Sequence, residues 1–294
     1  MLATSALLAH TTDLNLIIRH VLAGLGHGMH AGRERGAGVE FSEYRAYAPG
    51  DEWRRVDWKL LARADRYYVR EAERDSHVAV WLWLDASASM AEPSRSVPGL
   101  DKMWYARTML ACLAAIAQRQ GDAFGLVVCG ADRVAFTPAA RGPRQMQRVL
   151  AQLAKSAPAG RLPGSDAMRA SLRFARAPSL VFAVSDFLDW PSPMSEALVR
   201  LRHMRHDVRT LCLATEAEST GAFQSGLAYS DPEIESPVVG FGPELRAAYL
   251  ARRAAHFDTV RADCKQHDLA IHTATIETPV GSALRAWLRL AGRP

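Results

Sequence analysis

The chain has 294 residues, of which 49% are hydrophobic and 23% charged, and its formal net charge is +5. This length and composition predict a globular cytoplasmic protein with one large domain and a substantial core, and no segment reaches the roughly 18 consecutive apolar residues that a membrane span requires. The four cysteines lie far apart with no CxxC or Cys/His cluster, which predicts buried, reduced thiols and argues against a zinc site.

Residues 1–30 predict an amphipathic helix that ends at the cluster of Gly24, Gly26 and Gly28. The segment mixes apolar residues with His, Asp and Arg, and it lacks the basic start of a secretory signal. Its apolar face is predicted to dock on the chain's own body, with a partner or membrane surface as the alternative.

Residues 31–77 alternate aromatic and charged side chains around a Pro49-Gly50-Asp51 turn. From 51 to 75 the basic and acidic residues number seven each. That balance predicts internal salt bridges in a small β-rich appendage rather than a groove for nucleic acid.

From residue 78 to 294, short apolar runs alternate with stretches of helical periodicity, and residues 215–242 form a long loop or an added hairpin of unassigned role. Near-continuous apolar strands separated by helices predict a doubly wound, mostly parallel α/β sheet. The run 133–137 follows its predecessor after a Gly-Ala-Asp turn, which predicts an antiparallel edge strand. The predicted strands are 78–84, 124–129, 133–137, 179–185, 208–214 and 269–276. The predicted helices are 101–120, 143–155, 166–176, 193–205, 243–267 and 280–291.

Positive charge is concentrated between residues 141 and 176, where eight basic residues and one acid leave a surplus of seven. Such a stretch can bind phosphates or nucleic acid, or it can steer an acidic protein surface. It is equally consistent with solvated helix faces.

The sequence DASAS places Asp85, Ser87 and Ser89 two residues apart at the end of the first strand of this domain. Ligands of open α/β sheets bind beyond the carboxyl ends of the strands. A carboxylate and two hydroxyls are hard oxygen ligands, which suit Mg²⁺, or Mn²⁺ and Ca²⁺ less selectively.

Three other interpretations of this motif are weaker. A phosphoester hydrolase of the haloacid dehalogenase kind needs a second acid at the position of Ser87. A serine hydrolase needs small residues around its nucleophile and a histidine partner, and no such arrangement is evident. The serines can also serve only to cap the next helix.

Two further oxygen ligands are predicted at the same edge of the sheet. Asp186 follows the strand predicted at 179–185, and Ser165 lies in the loop before the preceding helix. These five residues resemble the metal-ion-dependent adhesion site of von Willebrand factor A domains, with Ser165 where that family usually has threonine. The resemblance implies a divalent cation, weakly bound here, with one coordination position open to a carboxylate from a binding partner.

A second resemblance covers the preceding segment, GVEFSEYRAYAPGDEWRRVDWKLLARADRYYVRE. It is similar to the domain of unknown function 58 family, whose motif string precedes a von Willebrand factor A-like body. Longer members carry N-terminal membrane helices, so this chain looks like a short, soluble form. The matching positions are Gly38, Glu40, Phe41, Arg45, Tyr47, Pro49, Gly50, Asp51, Arg55, Asp57, Trp58, Ala62 and Arg63, with Val56 in place of isoleucine.

The resemblance implies that the protein acts with a MoxR-type AAA+ ATPase in chaperone-like maturation or assembly of other proteins. The sequence has no ATP-binding loop of its own. The leading hypothesis is therefore a non-enzymatic, metal-dependent module that binds proteins presenting Asp or Glu. The alternatives are a metal-dependent phosphoester hydrolase and nucleic-acid binding through residues 141–176.

Overall fold

A computed structural model describes residues 14–29, 43–47, 67–71, 79–172, 177–224, 226–234 and 238–289. The chain divides into two compact units, one formed by residues 1–28 with 78–294 and the other by residues 29–77. None of the helices in the described part is long and apolar enough to cross a membrane.

The larger unit contains a six-stranded sheet that is parallel except at one edge. Its strands are β3 (Val80–Asp85), β4 (Phe124–Gly130), β5 (Arg133–Ala140), β6 (Leu180–Ser185), β7 (Asp207–Ala214) and β10 (Ala270–Thr275). The strand order is β10-β7-β6-β3-β4-β5, and within this sheet only β5 runs antiparallel to its neighbour. The doubly wound, mostly parallel fold and the antiparallel edge strand predicted from the sequence are thus confirmed.

Helices connect the strands and cover both faces of the sheet. Along β3, Leu82 and Leu84 belong to one buried cluster, whereas Trp81 and Trp83 belong to the cluster on the opposite face. Successive side chains of a strand point to opposite faces, so a central strand buried on both sides is apolar at every position. The helices are α2 (Lys102–Gln120), α3 (Pro143–Lys155), α4 (Ser165–Ser171), α5 (Pro193–His203), α6 (Glu216–Thr220), α7 (Pro243–Gln266) and α8 (Val280–Arg289).

The N-terminal helix α1 (Leu14–Met29) packs on the larger unit itself. Ile17, Ile18 and Val21 are buried in the same cluster as Leu82 and Leu84. The prediction that this helix docks on the chain's own body is therefore confirmed. The described helix includes the three glycines and ends at Met29, one residue after Gly28.

The edge strand β5 is irregular where it pairs with β4. The register between them shifts between Phe124 and Leu126. The side-chain amide of Gln145, on α3, donates to the carbonyl oxygens of Phe124 and Pro138 at 2.8 Å each. A buried glutamine thus satisfies two backbone acceptors near the shift in the ladder.

Residues 215–242 contain a helix as well as the predicted hairpin. Thr215 caps α6, its side chain accepting from the backbone N–H of Glu218, whose carboxylate accepts from the N–H of Thr215. Such a capping box stabilises a short helix start. The hairpin consists of β8 (Ala228–Tyr229) and β9 (Val239–Gly240), which pair antiparallel.

In the smaller unit, β1 (Glu43–Ala46) pairs antiparallel with β2 (Tyr68–Glu71). The backbone N–H of Tyr47 donates to the carbonyl of Tyr67 at 2.9 Å, and the two rings lie 6.1 Å apart. Cross-strand aromatic pairs of this kind stabilise a two-stranded ladder.

Candidate functional site

The loop after β3 begins the candidate site. Asp85 is the last residue of β3, and its Oδ1 accepts from the backbone N–H of Ser87 at 2.8 Å. Ser87 is followed by a short 3₁₀ helix, Ala88–Ala91, which contains Ser89. The hydroxyl oxygens of Ser87 and Ser89 lie within hydrogen-bond distance, at 3.2 Å. The turn after the strand therefore brings the carboxylate and both hydroxyls to one edge of the sheet.

Backbone contacts fix the position of this loop. The carbonyl of Ala86 accepts from the N–H of Ala159 at 2.9 Å, and Ala88 donates to the carbonyl of Gly160 at the same distance. A Cβ atom on Gly130, at the end of β4, would lie 2.3 Å from the Ala86 oxygen. Only glycine permits so close a backbone approach.

The Asp85 carboxylate is almost fully buried. Its Oδ2 accepts from the Ser185 hydroxyl at 2.6 Å, and the side chain is 1% exposed. Burial, together with the nearby Asp186, raises the pKa of Asp85 to about 7, although the hydrogen bonds from Ser185 and Ser87 oppose that rise. The protein thus holds a carboxylate where ionisation without a countercharge is costly.

Asp186 is bound to a buried lysine. Lys102 Nζ lies 2.9 Å from Asp186 Oδ2 and 2.7 Å from Glu218 Oε1, and the Lys102 side chain is 1% exposed. Burial disfavours the charge on Lys102, but the two carboxylates outweigh it and raise the pKa of the lysine. Lys102 therefore stays charged and bridges β6 to α6.

The buried cluster has an excess of acid. Asp85, Asp186 and Glu218 supply three carboxylates against the single ammonium of Lys102, so full ionisation leaves two negative charges. Buried charges are costly unless they are paired or bind a metal. A divalent cation beside Asp85 would balance this excess.

An open groove of about 670 Å³ gives access to the cluster. Asp85, Ser87, Ser89 and Asp186 all line it. Four of the five predicted site residues are therefore brought together at the predicted edge of the sheet. Among the described residues no three His, Cys, Asp or Glu side chains are arranged to hold a metal, so a cation here depends on the serine hydroxyls as ligands.

Ser165 lies elsewhere. It is the first residue of α4, its hydroxyl donates to Glu196 Oε2 at 3.3 Å, and it lines a separate groove with Trp190 and His267. The Glu196 carboxylate, on α5, provides a nearby acceptor for that hydroxyl. The role of Ser165 as a cation ligand stays a prediction.

The predicted motif residues of the smaller unit are mostly outside the described residues. Arg45 lies on β1, opposite Val69 of β2. A docking role for this motif stays a prediction. The positions outside the described residues are Glu40, Pro49, Gly50, Asp51, Arg55, Asp57, Trp58 and Arg63.

Sequence reasoning missed the partners of the predicted carboxylates. A lysine at the start of the apolar helix α2 was a usable signal for Lys102, because buried lysines need a counterion. Ser185 directly precedes Asp186, so it was within reach of the same reasoning. No local pattern marks Glu218 or Glu233 as part of this site.

All four cysteines are free and buried, as predicted. Burial raises the pKa of Cys112, Cys212 and Cys264 to about 12, and raises that of Cys129 as well. A thiol with so high a pKa is a poor nucleophile. All four lie in the core, and Cys212 Sγ also donates to the backbone carbonyl of Asp186 at 3.4 Å.

Comparison with known proteins places the chain among sequences without an assigned activity. The family model described as "Protein of unknown function DUF58" matches residues 43–258. The uncharacterized proteins Mb1516 of Mycobacterium bovis and Rv1480 of Mycobacterium tuberculosis are each 30% identical over 259 residues, covering 85% of this chain and 78% of theirs.

Similarities to solved structures are weaker. The conserved hypothetical protein BatB from Bacteroides thetaiotaomicron is 13% identical, with a TM-score of 0.43 over 72% of this chain and 99% of that protein. The SpRpn10 VWA domain is 9% identical, with a TM-score of 0.43 over 74% of this chain and 98% of that domain.

Proposed function

This chain belongs to the DUF58 family of proteins of unknown function, and from that premise we propose that it is a protein-binding module with a divalent-cation site at the carboxyl edge of its sheet. The observation that carries the proposal is the buried cluster around Asp85. That carboxylate is 1% exposed, shares its surroundings with Asp186, and lies beside two serine hydroxyls in an open groove.

The donor atoms fit a hard divalent cation. Asp85, Ser87 and Ser89 would hold it directly, and Mg²⁺ is the expected ion, with Mn²⁺ or Ca²⁺ as substitutes. Asp186 is tied to Lys102 through one oxygen, Oδ2, so it would contribute mainly through its charge. The ammonium of Lys102 reduces the negative charge at the site, and for that reason we expect weak cation binding.

The partner is expected to present an Asp or Glu side chain. A bound cation supplies an open coordination position for that carboxylate. Ser87 and Ser89 orient the site, and the groove walls contribute the remaining contact surface. Electrostatic attraction of an acidic partner by residues 141–176 would mainly raise the association rate.

The finer proposal is that this module works with a MoxR-type AAA+ ATPase in maturing or assembling client proteins. Its support is the resemblance of the Glu40 to Arg63 motif string to the family pattern, and the lack of an ATP-binding loop in the sequence. We expect such an ATPase to co-precipitate with this chain in Mg²⁺ and to be released by EDTA. Binding that ignores EDTA would contradict the metal-dependent form of the proposal.

A phosphoester hydrolase at the same groove has less support. A hydrolase of the haloacid dehalogenase kind needs a second acid two residues after its nucleophilic aspartate. In this chain the residue two positions after Asp85 is Ser87, which cannot serve as that acid. Protein binding therefore stays the preferred function.

The test is a calorimetric titration of metal-free protein with Mn²⁺. We expect saturable one-site binding to the wild type, and at least a tenfold loss of affinity in Asp85→Asn because that change removes the central ligand. Asp166→Asn is the matched control, since Asp166 is fully exposed, and it should bind like the wild type. Equal binding by wild type and Asp85→Asn, or no binding by either, would overturn the cation site.

A further inference from the structure

A carboxylate from a distant part of the chain reaches the candidate site. Glu233 lies between β8 and β9, and its Oε1 accepts from the backbone N–H of Ser89 at 3.2 Å, although the two residues are 144 positions apart. Glu233 lines the same groove as Asp85, Ser87 and Asp186. It therefore stands where an incoming acidic side chain would have to enter.

The segment carrying Glu233 is held in place by its own contacts. Arg161 Nε donates to the Glu233 carbonyl at 2.8 Å, and the Glu233 N–H donates to Asp231 Oδ1 at 2.8 Å. At the base of the hairpin, Arg95 donates to the Tyr229 hydroxyl at 2.8 Å and stacks on the ring of Phe223. Glu233 is thus positioned by the hairpin rather than by chance contact of a long side chain.

Electrostatics alone does not account for this position. Glu233 adds a negative charge to a groove that already contains Asp85 and Asp186, and like charges repel. The backbone N–H of Ser89 and the positive charge of Arg161, which also lines the groove, offset only part of that repulsion. A divalent cation held by Asp85 and the two serine hydroxyls would turn the arrangement into a favourable one.

We propose that Glu233 is a built-in occupant of the open position of the cation site, which a partner's carboxylate must displace. This inference rests on the proposed function. A tethered group acts at an effective concentration on the order of millimolar. A free acidic side chain with weak affinity therefore fails to compete, and only a partner with additional contacts opens the site.

The neighbours of Glu233 indicate what those additional contacts are. Ile234 follows it directly and is 42% exposed, and Leu188 is 44% exposed, and both line the groove. The intrachain segment is therefore a carboxylate followed by an apolar side chain. A partner that replaces it is expected to present the same chemistry, an Asp or Glu next to an exposed apolar residue.

The experiment uses the full chain loaded with Mn²⁺ and a dye-labelled, end-capped peptide of the chain's own residues 230–234, Ser-Asp-Pro-Glu-Ile. We expect Glu233→Gln to bind this peptide at least tenfold more tightly than the wild type, because the competing carboxylate is gone. The matched control is Asp189→Asn, which removes an exposed acid from the same groove and should bind like the wild type. A second peptide with Asn in place of its Asp and Gln in place of its Glu should not bind.

The outcomes separate the two proposals. If Mn²⁺ binds to the wild type but not to Asp85→Asn, and Glu233→Gln binds the peptide no more tightly than the wild type, the role of Glu233 is overturned while the cation site stands. Equal gains in Glu233→Gln and Asp189→Asn would also overturn it, since general charge would then explain the effect. If no variant binds Mn²⁺, both proposals fall together.

Discussion

Lys102 decides the electrostatics of the candidate site at the scale of single residues. Its ammonium joins Asp186, at the carboxyl end of β6, to Glu218 on α6. Within the described part of the chain, the donors to Asp85 are neutral: the Ser185 hydroxyl and the Ser87 backbone N–H. The two aspartates therefore differ in kind. Asp186 already has a countercharge, and Asp85 is the carboxylate that would gain most from a metal ion.

Replacing Lys102 with methionine is expected to destabilise the protein by about 3–5 kcal/mol, because two buried carboxylates lose their common cation. The change is measured by urea unfolding in EDTA. Lys155→Met is the control, since that exposed lysine ends α3 and should change stability by less than about 0.5 kcal/mol. Mn²⁺ should restore part of the loss in Lys102→Met only. If Lys102→Met proves as stable as Lys155→Met, the ion pairs of Lys102 with Asp186 and Glu218 contribute little to the stability of the protein.

Asp85, Ser87, Ser89 and Asp186 could be predicted because each lies at or directly after the end of an apolar strand. The residues that complete the cluster could not be predicted in the same way. Lys102 and Glu218 are 116 positions apart, and their pairing depends on how α2 and α6 pack on the sheet. Local patterns carry no information on such a contact.

At the scale of elements, the observed strands agree best with the predictions made from the sequence. All six predicted strands are present, and each begins and ends within a few residues of its prediction. Helix α6 was missed because five residues are too few to show a helical period, although its capping box was readable. Helix α1 ends one residue after Gly28, and its buried residues Ile17, Ile18 and Val21 lie before the glycines.

Gly130 provides a test of how the elements hold the site loop. Gly130→Ala should destabilise the protein by about 1–3 kcal/mol and weaken Mn²⁺ binding, because the new methyl group would push Ala86 and the loop after it. Thermal or urea unfolding and calorimetry measure the two effects. Gly281→Ala is the matched control, as nothing lies within 4 Å of a Cβ atom there, and in α8 it should be neutral or slightly stabilising. Unchanged Mn²⁺ binding in Gly130→Ala would show that the cation site does not depend on the position of this loop.

At the scale of the whole molecule, the charge of the candidate site differs in sign from the net charge of the chain. The chain is basic overall, with a net charge of +5, yet the buried polar cluster at the carboxyl edge of its sheet is acidic. Composition predicted the first fact and could not predict the second, because the acids converge only when three separate strand and helix ends meet. The fold class was predictable since continuous apolar strands occur almost only in sheets covered on both faces.

The irregular edge strand has a consequence for the behaviour of the protein in concentrated solution. A regular outer strand presents a row of free backbone groups to which another copy can add. Here β5 contains Pro138, which has no N–H to donate, and its ladder with β4 shifts register near Phe124. The edge is therefore a poor template for strand addition, and this side of the sheet is protected against aggregation.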